Sequence, residues 1–132
     1  MTMATWDTYL RGDAQTYRDC IEACMTCVVA CEMCADACLD EQDVQMMVRC
    51  IRLTRDCADA CNAALRTMSR GSPLAKSMCR ACAEACEACA EECARHAAMA
   101  EHCAQCAEAC RRCADACRRT AALFIIPFDG AE

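Results

Sequence analysis

The chain has 132 residues, enough for one domain of ordinary size, and its formal net charge of −6 argues against nucleic acid as a partner. Only 3 Gly and 2 Pro are available for turns, whereas good helix formers such as Ala, Glu, Arg and Met are plentiful. The composition therefore predicts an all-α fold.

The first seven residues, MTMATWD, contain neither a basic start nor an apolar run, so we expect no signal peptide. No later stretch is apolar for long enough to cross a bilayer, and no membrane partner is expected. We therefore expect a cytoplasmic protein, in a compartment where thiols stay reduced. The odd cysteine count, 19, also argues against a disulfide scaffold.

The first half of the chain predicts a leader and two helices. Residues 1–12 are expected to form a short N-terminal helical leader that packs on the outside of the fold. A first helix is predicted at about residues 14–39. The polar turn at residues 40–43 separates it from a second helix at about 44–69.

A strong turn signal precedes the third helix. Gly71 suits the position just after a helix, Ser72 suits an N-cap and Pro73 suits the first helical turn. A third helix is therefore predicted at about residues 73–95.

The break before the fourth helix has no local signal, because residues 95–101 contain no Gly, Pro, Ser or Asn. We nevertheless predict a turn near residue 97, since one continuous helix would leave half of its cysteine face without a partner. A fourth helix at about residues 100–120 then completes an up-down-up-down four-helix bundle in a single domain, residues 1–132. The apolar tail, residues 123–128, is expected to cover one end of it.

The cysteines are spaced alternately three and four residues apart, which places them on one face of each helix. In an ordinary bundle Leu and Ile hold such positions, so the spacing predicts a cysteine-lined core. The members by helix are Cys20, Cys24, Cys27, Cys31, Cys34 and Cys38; Cys50, Cys57 and Cys61; Cys79, Cys82, Cys86, Cys89 and Cys93; and Cys103, Cys106, Cys110, Cys113 and Cys117. An isolated buried cysteine is usually only a packing residue, but 19 in phase indicate a metal site.

Thiolates select soft or borderline metals, namely Cu(I), Zn(II) or iron–sulfur clusters. A tetrathiolate zinc site keeps a charge of −2, and several stacked in a dry core would repel one another. Cu(I) tolerates two or three sulfurs, and bridging thiolates bring the count close to one ion per cysteine and the charge close to zero. Charge balance therefore favours many Cu(I) ions, whose loading would release protons.

Two other readings of the cysteines stay open at this stage. One is a zinc buffer or metal-stress protein resembling metallothionein, with a few tetrahedral sites. The other is an enzyme with an iron–sulfur centre, because Cys20, Cys24 and Cys27 match the spacing of radical-type [4Fe–4S] sites. No general base or nucleophile apart from the thiols accompanies them, so we expect no enzymatic activity.

One end of the predicted bundle carries softer, more exchangeable ligands than the rest. The cysteine faces continue there into Met47, His96 and Met99, with Met46 and His102 beside them. Thioether and imidazole bind Cu(I), so this end is the predicted entry point. The alternative is that the methionines fill gaps and the histidines are solvated loop residues.

The repeated Cys-x-x-x-Cys and Cys-x-x-Cys frames, with Met and His at one end, resemble the bacterial copper storage proteins, and the missing signal peptide resembles their cytosolic branch. The resemblance covers residues 13–120 and implies a bundle that stores or sequesters many Cu(I) ions without catalysis. It also implies a homotetramer, every cysteine of the four faces as a ligand, and an opening at the Met/His end. It identifies no donor or acceptor protein.

Overall fold

Four antiparallel α-helices form the fold in a computed structural model that describes residues 5–123, apart from the side chain of Asp13. The helices run over Arg18–Cys38 (α1), Val48–Ser69 (α2), Ala75–His96 (α3) and Glu101–Ala122 (α4). Each packs against the next in the chain, and α4 packs back against α1. The predicted all-α up-down-up-down bundle is confirmed.

Short 3₁₀ segments precede the first two helices, so α1 and α2 each begin four residues after the positions predicted for them. The segments are Gly12–Tyr17 and Val44–Met47, and such tighter turns are common at helix N-termini. Each ends in a buried residue, Tyr17 at one end of the bundle and Met47 at the other.

The leader is a 3₁₀ helix over Trp6–Tyr9. Trp6 and Leu10 pack against the core, as expected, whereas Tyr9 projects into solvent. The expectation for the apolar tail lies outside the described residues, except for Leu123, which is exposed.

The turn between α2 and α3 is built around Gly71, whose φ of 61° is a left-handed conformation that favours glycine. The N–H of Ser72 donates to the carbonyl of Thr67 (2.9 Å) and that of Gly71 to the carbonyl of Met68 (3.0 Å), which ends α2 in a Schellman motif. The Ser72 hydroxyl then accepts a hydrogen bond from the Leu74 N–H. These contacts fix the reversal that brings α3 back along α2.

The turn between α3 and α4 lies at residues 97–99, close to the predicted break. It needs no glycine, because Ala100 turns the chain in an ordinary extended conformation, with φ −139° and ψ 111°. Ala100 is buried, and its N–H still donates to the carbonyl of His96 (2.9 Å). The chain therefore reverses here because the turn buries the cysteine faces of both α3 and α4, although no local residue signals a turn.

Small side chains fill the space between the helices. Alanines flank the cysteines in the buried core, among them Ala58, Ala83, Ala90, Ala107 and Ala114. Their size lets the helices approach closely and leaves the cysteines to fill the centre. None of the described helices has both the length and the apolar character that crossing a membrane requires.

Candidate metal centre

All 19 cysteines are free thiols that point into the bundle, and none is more than 3% exposed. Together they form a continuous column, here called the thiol channel, that contains every cysteine of the chain. The sequence prediction that the four faces meet in one enclosed interior is thus realised in the geometry.

Neighbouring sulfurs in the thiol channel lie 3.5–4.0 Å apart, both along and across the helices. Near the middle, Cys57 Sγ is 3.5 Å from Cys86 Sγ and 3.8 Å from Cys27 Sγ, which joins α1, α2 and α3. Cys110 Sγ on α4 lies 3.8 Å from Cys27 Sγ. Sulfurs from all four helices therefore surround one axis.

The thiols are close enough to share one ion in groups of four. Within each group all Sγ atoms lie within 4.8 Å of one another. Five such groups are Cys24, Cys82, Cys113 and Cys117; Cys27, Cys61, Cys86 and Cys113; Cys27, Cys31, Cys57 and Cys110; Cys31, Cys89, Cys106 and Cys110; and Cys34, Cys38, Cys50 and Cys103.

Several thiols belong to two groups at once, namely Cys27, Cys31, Cys110 and Cys113. Five independent tetrahedral sites would need 20 sulfurs, and the chain has 19. At a metal–sulfur distance of about 2.3 Å, tetrahedral coordination needs sulfurs about 3.8 Å apart and trigonal coordination about 4.0 Å. The observed sulfur–sulfur distances fit either geometry, but the thiols that belong to two groups favour bridged clusters over separate tetrahedral ions.

One position on the inward face of α2 carries oxygen instead of sulfur. Thr54 is fully buried, and its hydroxyl donates to backbone carbonyls of its own helix, with Cys50 O and Ile51 O each at 2.9 Å. The hydroxyl is therefore occupied, and α2 contributes no sulfur between Cys50 and Cys57. Past this level the channel continues on α3, where Cys93 Sγ lies 3.6 Å from Cys50 Sγ and 3.9 Å from Cys89 Sγ.

The thiols influence one another's ionisation. Hydrogen bonds, the largest from Cys110, hold the pKa of the Cys27 thiol well below its usual range, whereas the hydrogen bond with Cys113 raises the pKa of Cys86. Nearer the end, burial is the main cause: it raises the pKa of Cys38 to about 12 and that of Cys103 as well. Without metal, these two thiols are neutral at physiological pH.

The end of the bundle formed by the α1–α2 and α3–α4 turns, here called the mouth, brings together part of the predicted entry set. Met47 is buried in the core, and His102 Nδ1 lies 3.3 Å from Cys34 Sγ and 3.5 Å from Cys103 Sγ. Met46 and Met99, by contrast, are 56% and 81% exposed. The structure therefore places His102 at the thiols, Met47 in the buried core and the other two methionines in solvent.

His96 makes a different contact from the one its position on the cysteine face suggested. Its Nε2 lies 2.9 Å from a carboxylate oxygen of Glu92, which is 6% exposed and also pairs with Arg49 Nε at 3.3 Å. The imidazole of His96 is thus held by a buried carboxylate within α3.

The opposite end of the channel is closed by larger or branched side chains. Tyr17, Ile21, Met68 and Thr120 are all buried there, with Ala64 and Ala75 between them. These side chains close this end, while residues 124–128 of the apolar tail that was expected to cover one end of the bundle lie outside the described part of the chain. The two ends of the channel therefore differ in size and in chemistry.

The sequence analysis did not identify the two carboxylates that contact the histidines. Glu92 lies four residues before His96 on the same helix, a spacing that could have revealed the pair. Glu41 lies 2.8 Å from His102 Nε2 but 61 residues away in the chain, and no local pattern links them.

Comparison with known proteins identifies a family and solved structures that this chain resembles. A family model described as copper storage protein matches residues 13–122. A cytosolic copper storage protein from Streptomyces lividans, loaded with five coppers, is 45% identical with a TM-score of 0.81, and the alignment covers 86% of this chain and 98% of that one. The Cu(I)-bound copper storage protein BsCsp3 is 46% identical with a TM-score of 0.75, over 80% and 97% of the two chains.

A curated relative matches over a shorter stretch. The uncharacterized cysteine-rich protein YhjQ of Bacillus subtilis (strain 168) is 47% identical over 65 residues, which is 49% of this chain and 60% of that protein. The match thus spans less than two thirds of that relative.

The pKa directions at the mouth predict how the metal-free bundle responds to alkali. The folded state binds the protons of Cys38 and Cys103 more tightly than the unfolded state, so stability is fully present below about pH 8.5 and is lost as the pH rises through about 12. In that window each of the two thiols lowers the free energy of unfolding by about 1.4 kcal/mol per pH unit, which corresponds to about 4 °C in melting temperature. Thermal melts of the reduced, metal-free protein followed by circular dichroism at pH 7, 9 and 10 measure this.

The matched control is Cys38→Ala, which removes one of the two titrating thiols. Its melting temperature should fall less steeply between pH 9 and pH 10 than that of the unsubstituted protein. Equal slopes for the two proteins would contradict the assignment of a raised pKa to Cys38.

Proposed function

Because the chain belongs to the copper storage protein family, we propose that it stores Cu(I) in the thiol channel, with many ions held by each chain. The observation that carries the proposal is the burial of all 19 free thiols in one column whose four-sulfur groups share members. Shared thiolates bridge ions, and bridging lets the number of Cu(I) ions approach the number of sulfurs. The channel then functions as a store and not as a single metal site.

Charge decides between Cu(I) and Zn(II) at these sulfur spacings. A thiolate carries one negative charge and Cu(I) one positive charge, so a filled channel is close to neutral in a region from which water is excluded. Zinc at separate four-thiolate sites would leave a charge of −2 at each. The zinc buffer is therefore the second candidate, favoured only by the fit of the four-thiol groups to a tetrahedron.

We assign all 19 cysteines as Cu(I) ligands and the mouth as the route of entry and exit. The proposed route uses the exposed thioethers of Met46 and Met99 as first contacts, then the less exposed residues Met47, His96 and His102. Thioether and imidazole exchange Cu(I) more readily than thiolate does, so ions would not be trapped there. The bulky closed end supports transfer through the mouth alone.

The localisation and the oligomeric state are proposed from the resemblance to this family. We propose a cytosolic protein, since the Streptomyces lividans relative is a cytosolic copper storage protein, and a homotetramer of single-domain bundles spanning residues 1–132. We also propose a storage role without catalysis, because the carboxylates at the mouth are engaged in holding the two imidazoles. Copper itself is the partner that the channel is built to bind.

Anaerobic titration of the reduced protein with Cu(I) tests the proposal. We expect binding to continue well beyond five ions per chain, with a thiolate-to-copper charge-transfer absorption that rises until saturation, because shared sulfurs serve more than one ion. Saturation at one or two ions, or displacement of Cu(I) by an equal amount of Zn(II), would refute Cu(I) storage and favour the zinc buffer.

A substitution at the gap in the α2 face tests whether capacity follows the sulfur count. Thr54→Cys adds a thiol at a fully buried position that faces the channel, so it should raise the Cu(I) capacity measured in the same titration. Thr54→Val, with nearly the same shape and no sulfur, is the control and should leave the capacity unchanged. An unchanged capacity in a folded Thr54→Cys protein would mean that the gap lies outside the copper-binding column.

Variants at the mouth test the entry route separately from storage. Met47→Leu keeps the side-chain volume and removes the thioether, and combined with His96→Ala it should slow Cu(I) loading and release while changing the capacity by less than one ion. Met68→Leu makes the same exchange at the closed end and should leave both rates unchanged. Stopped-flow absorbance gives the rates. A loss of capacity as large as the loss of rate would make Met47 and His96 storage ligands instead.

A further inference from the structure

His102 is held between a carboxylate and two thiols at the mouth. Its Nε2 lies 2.8 Å from Glu41 Oε1, and its Nδ1 lies 3.3 Å from Cys34 Sγ and 3.5 Å from Cys103 Sγ. The ring is partly buried, with its side chain 22% exposed. Both ring nitrogens are therefore committed, one on each side.

The identity of the partners fixes where the ring proton lies. An ionised carboxylate can only accept hydrogen bonds, so the contact with Glu41 requires the proton on Nε2. In the neutral ring that leaves a lone pair on Nδ1, directed at Cys34 and Cys103. A neutral imidazole binds a metal ion through such a lone pair.

Glu41 is well placed to hold this orientation. It sits in the turn directly after α1, where its N–H donates to the carbonyl of Cys38 (3.2 Å). The carboxylate is thus tied to the same end of α1 that supplies Cys34 and Cys38. The thiols and the group that orients the imidazole therefore move together.

We propose that Glu41 is a positioning residue for Cu(I) at the mouth. Its carboxylate holds His102 with Nδ1 facing the outermost four-thiol group, Cys34, Cys38, Cys50 and Cys103, so that an ion there can bind one nitrogen as well as thiolates. The copper part of this inference rests on the proposed function, whereas the orientation of the ring does not.

The second histidine–carboxylate pair offers a contrast. Glu92 also contacts an imidazole, that of His96, but it is buried and shares its charge with Arg49. The Glu41–His102 pair is more exposed, and an exposed pair of this kind contributes little to stability. Removal of the Glu41 carboxylate should therefore change the tautomer and the metal affinity of His102 much more than the stability of the bundle.

The first experiment reads the tautomer in the reduced, metal-free protein. Proton–nitrogen correlation NMR on ¹⁵N-histidine-labelled protein should show His102 protonated at Nε2 alone. Glu41→Ala should produce a mixture of tautomers, and Glu41→Gln, whose amide oxygen can still accept, should largely restore the single form. Glu92→Ala, the matched control, should leave His102 unchanged. A single Nε2–H tautomer of His102 in Glu41→Ala would overturn the proposal.

The second experiment measures Cu(I) binding by competition with a chromogenic Cu(I) chelator. Glu41→Ala should weaken the most weakly held ions ten- to a hundredfold, about the loss seen when an outer-shell partner is removed, while the total capacity stays the same. In a His102→Ala background, Glu41→Ala should have no further effect. An equal loss in both backgrounds would mean that Glu41 acts independently of His102, and the proposal would fail.

The two failures are distinguishable. If the unsubstituted chain binds only one or two Cu(I) ions, the storage function is wrong, and the tautomer in the metal-free protein still decides whether Glu41 orients His102. If capacity is high and the tautomer does not respond to Glu41→Ala, storage stands and the positioning role of Glu41 is wrong.

Discussion

The whole structure depends on the difference between a thiol and a thiolate in a buried position. A neutral thiol behaves as a small apolar group, so a cysteine can fill a core position without metal. The thiolates could not share that space without counter-charges, because an unpaired buried charge is very costly. A monovalent soft cation supplies one positive charge for each thiolate. The same positions can therefore serve as core in the empty protein and as ligands in the loaded one.

A core of cysteine and alanine also constrains the rest of the bundle. Such side chains bury less apolar surface than the Leu and Ile of an ordinary bundle, so each contributes less hydrophobic stabilisation. The largest fully buried apolar side chains, Ile21 and Met68, lie at the closed end, and Tyr17 lies with them. Most of the bulky apolar packing is thus placed where no metal needs to pass, whereas the mouth combines buried Met47 with hydrogen bonds between imidazoles and carboxylates. The asymmetry of the channel follows from this division.

The sequence predicted those features that repeat with the helical period or carry a turn residue. The cysteine faces and the Gly71 reversal are of this kind, and both are present. The 3₁₀ starts of α1 and α2 were missed, because a tight first turn has the same composition as an α-helix. The break before Ala100 could be predicted only from the need to bury both cysteine faces. At the mouth, the helical phase of the cysteine faces favoured His96 over His102 as a copper ligand. His102 nevertheless lies against the thiols, and its ring is held by Glu41, which is 61 residues away in the chain.

The sharing of sulfurs bears on how ions move as well as on how many fit. Cys27, Cys31, Cys110 and Cys113 each belong to two neighbouring four-thiol groups, so an ion can pass between groups by exchanging some of its sulfurs while it keeps others. Beside Thr54 the α2 face contributes no sulfur, and the contacts below 4 Å that lead from Cys50 toward the interior run through Cys93 to Cys89. The outermost group, Cys34, Cys38, Cys50 and Cys103, is also the one that His102 faces. An ion at this position can leave by ligand exchange at the mouth without disturbing the ions deeper in the channel.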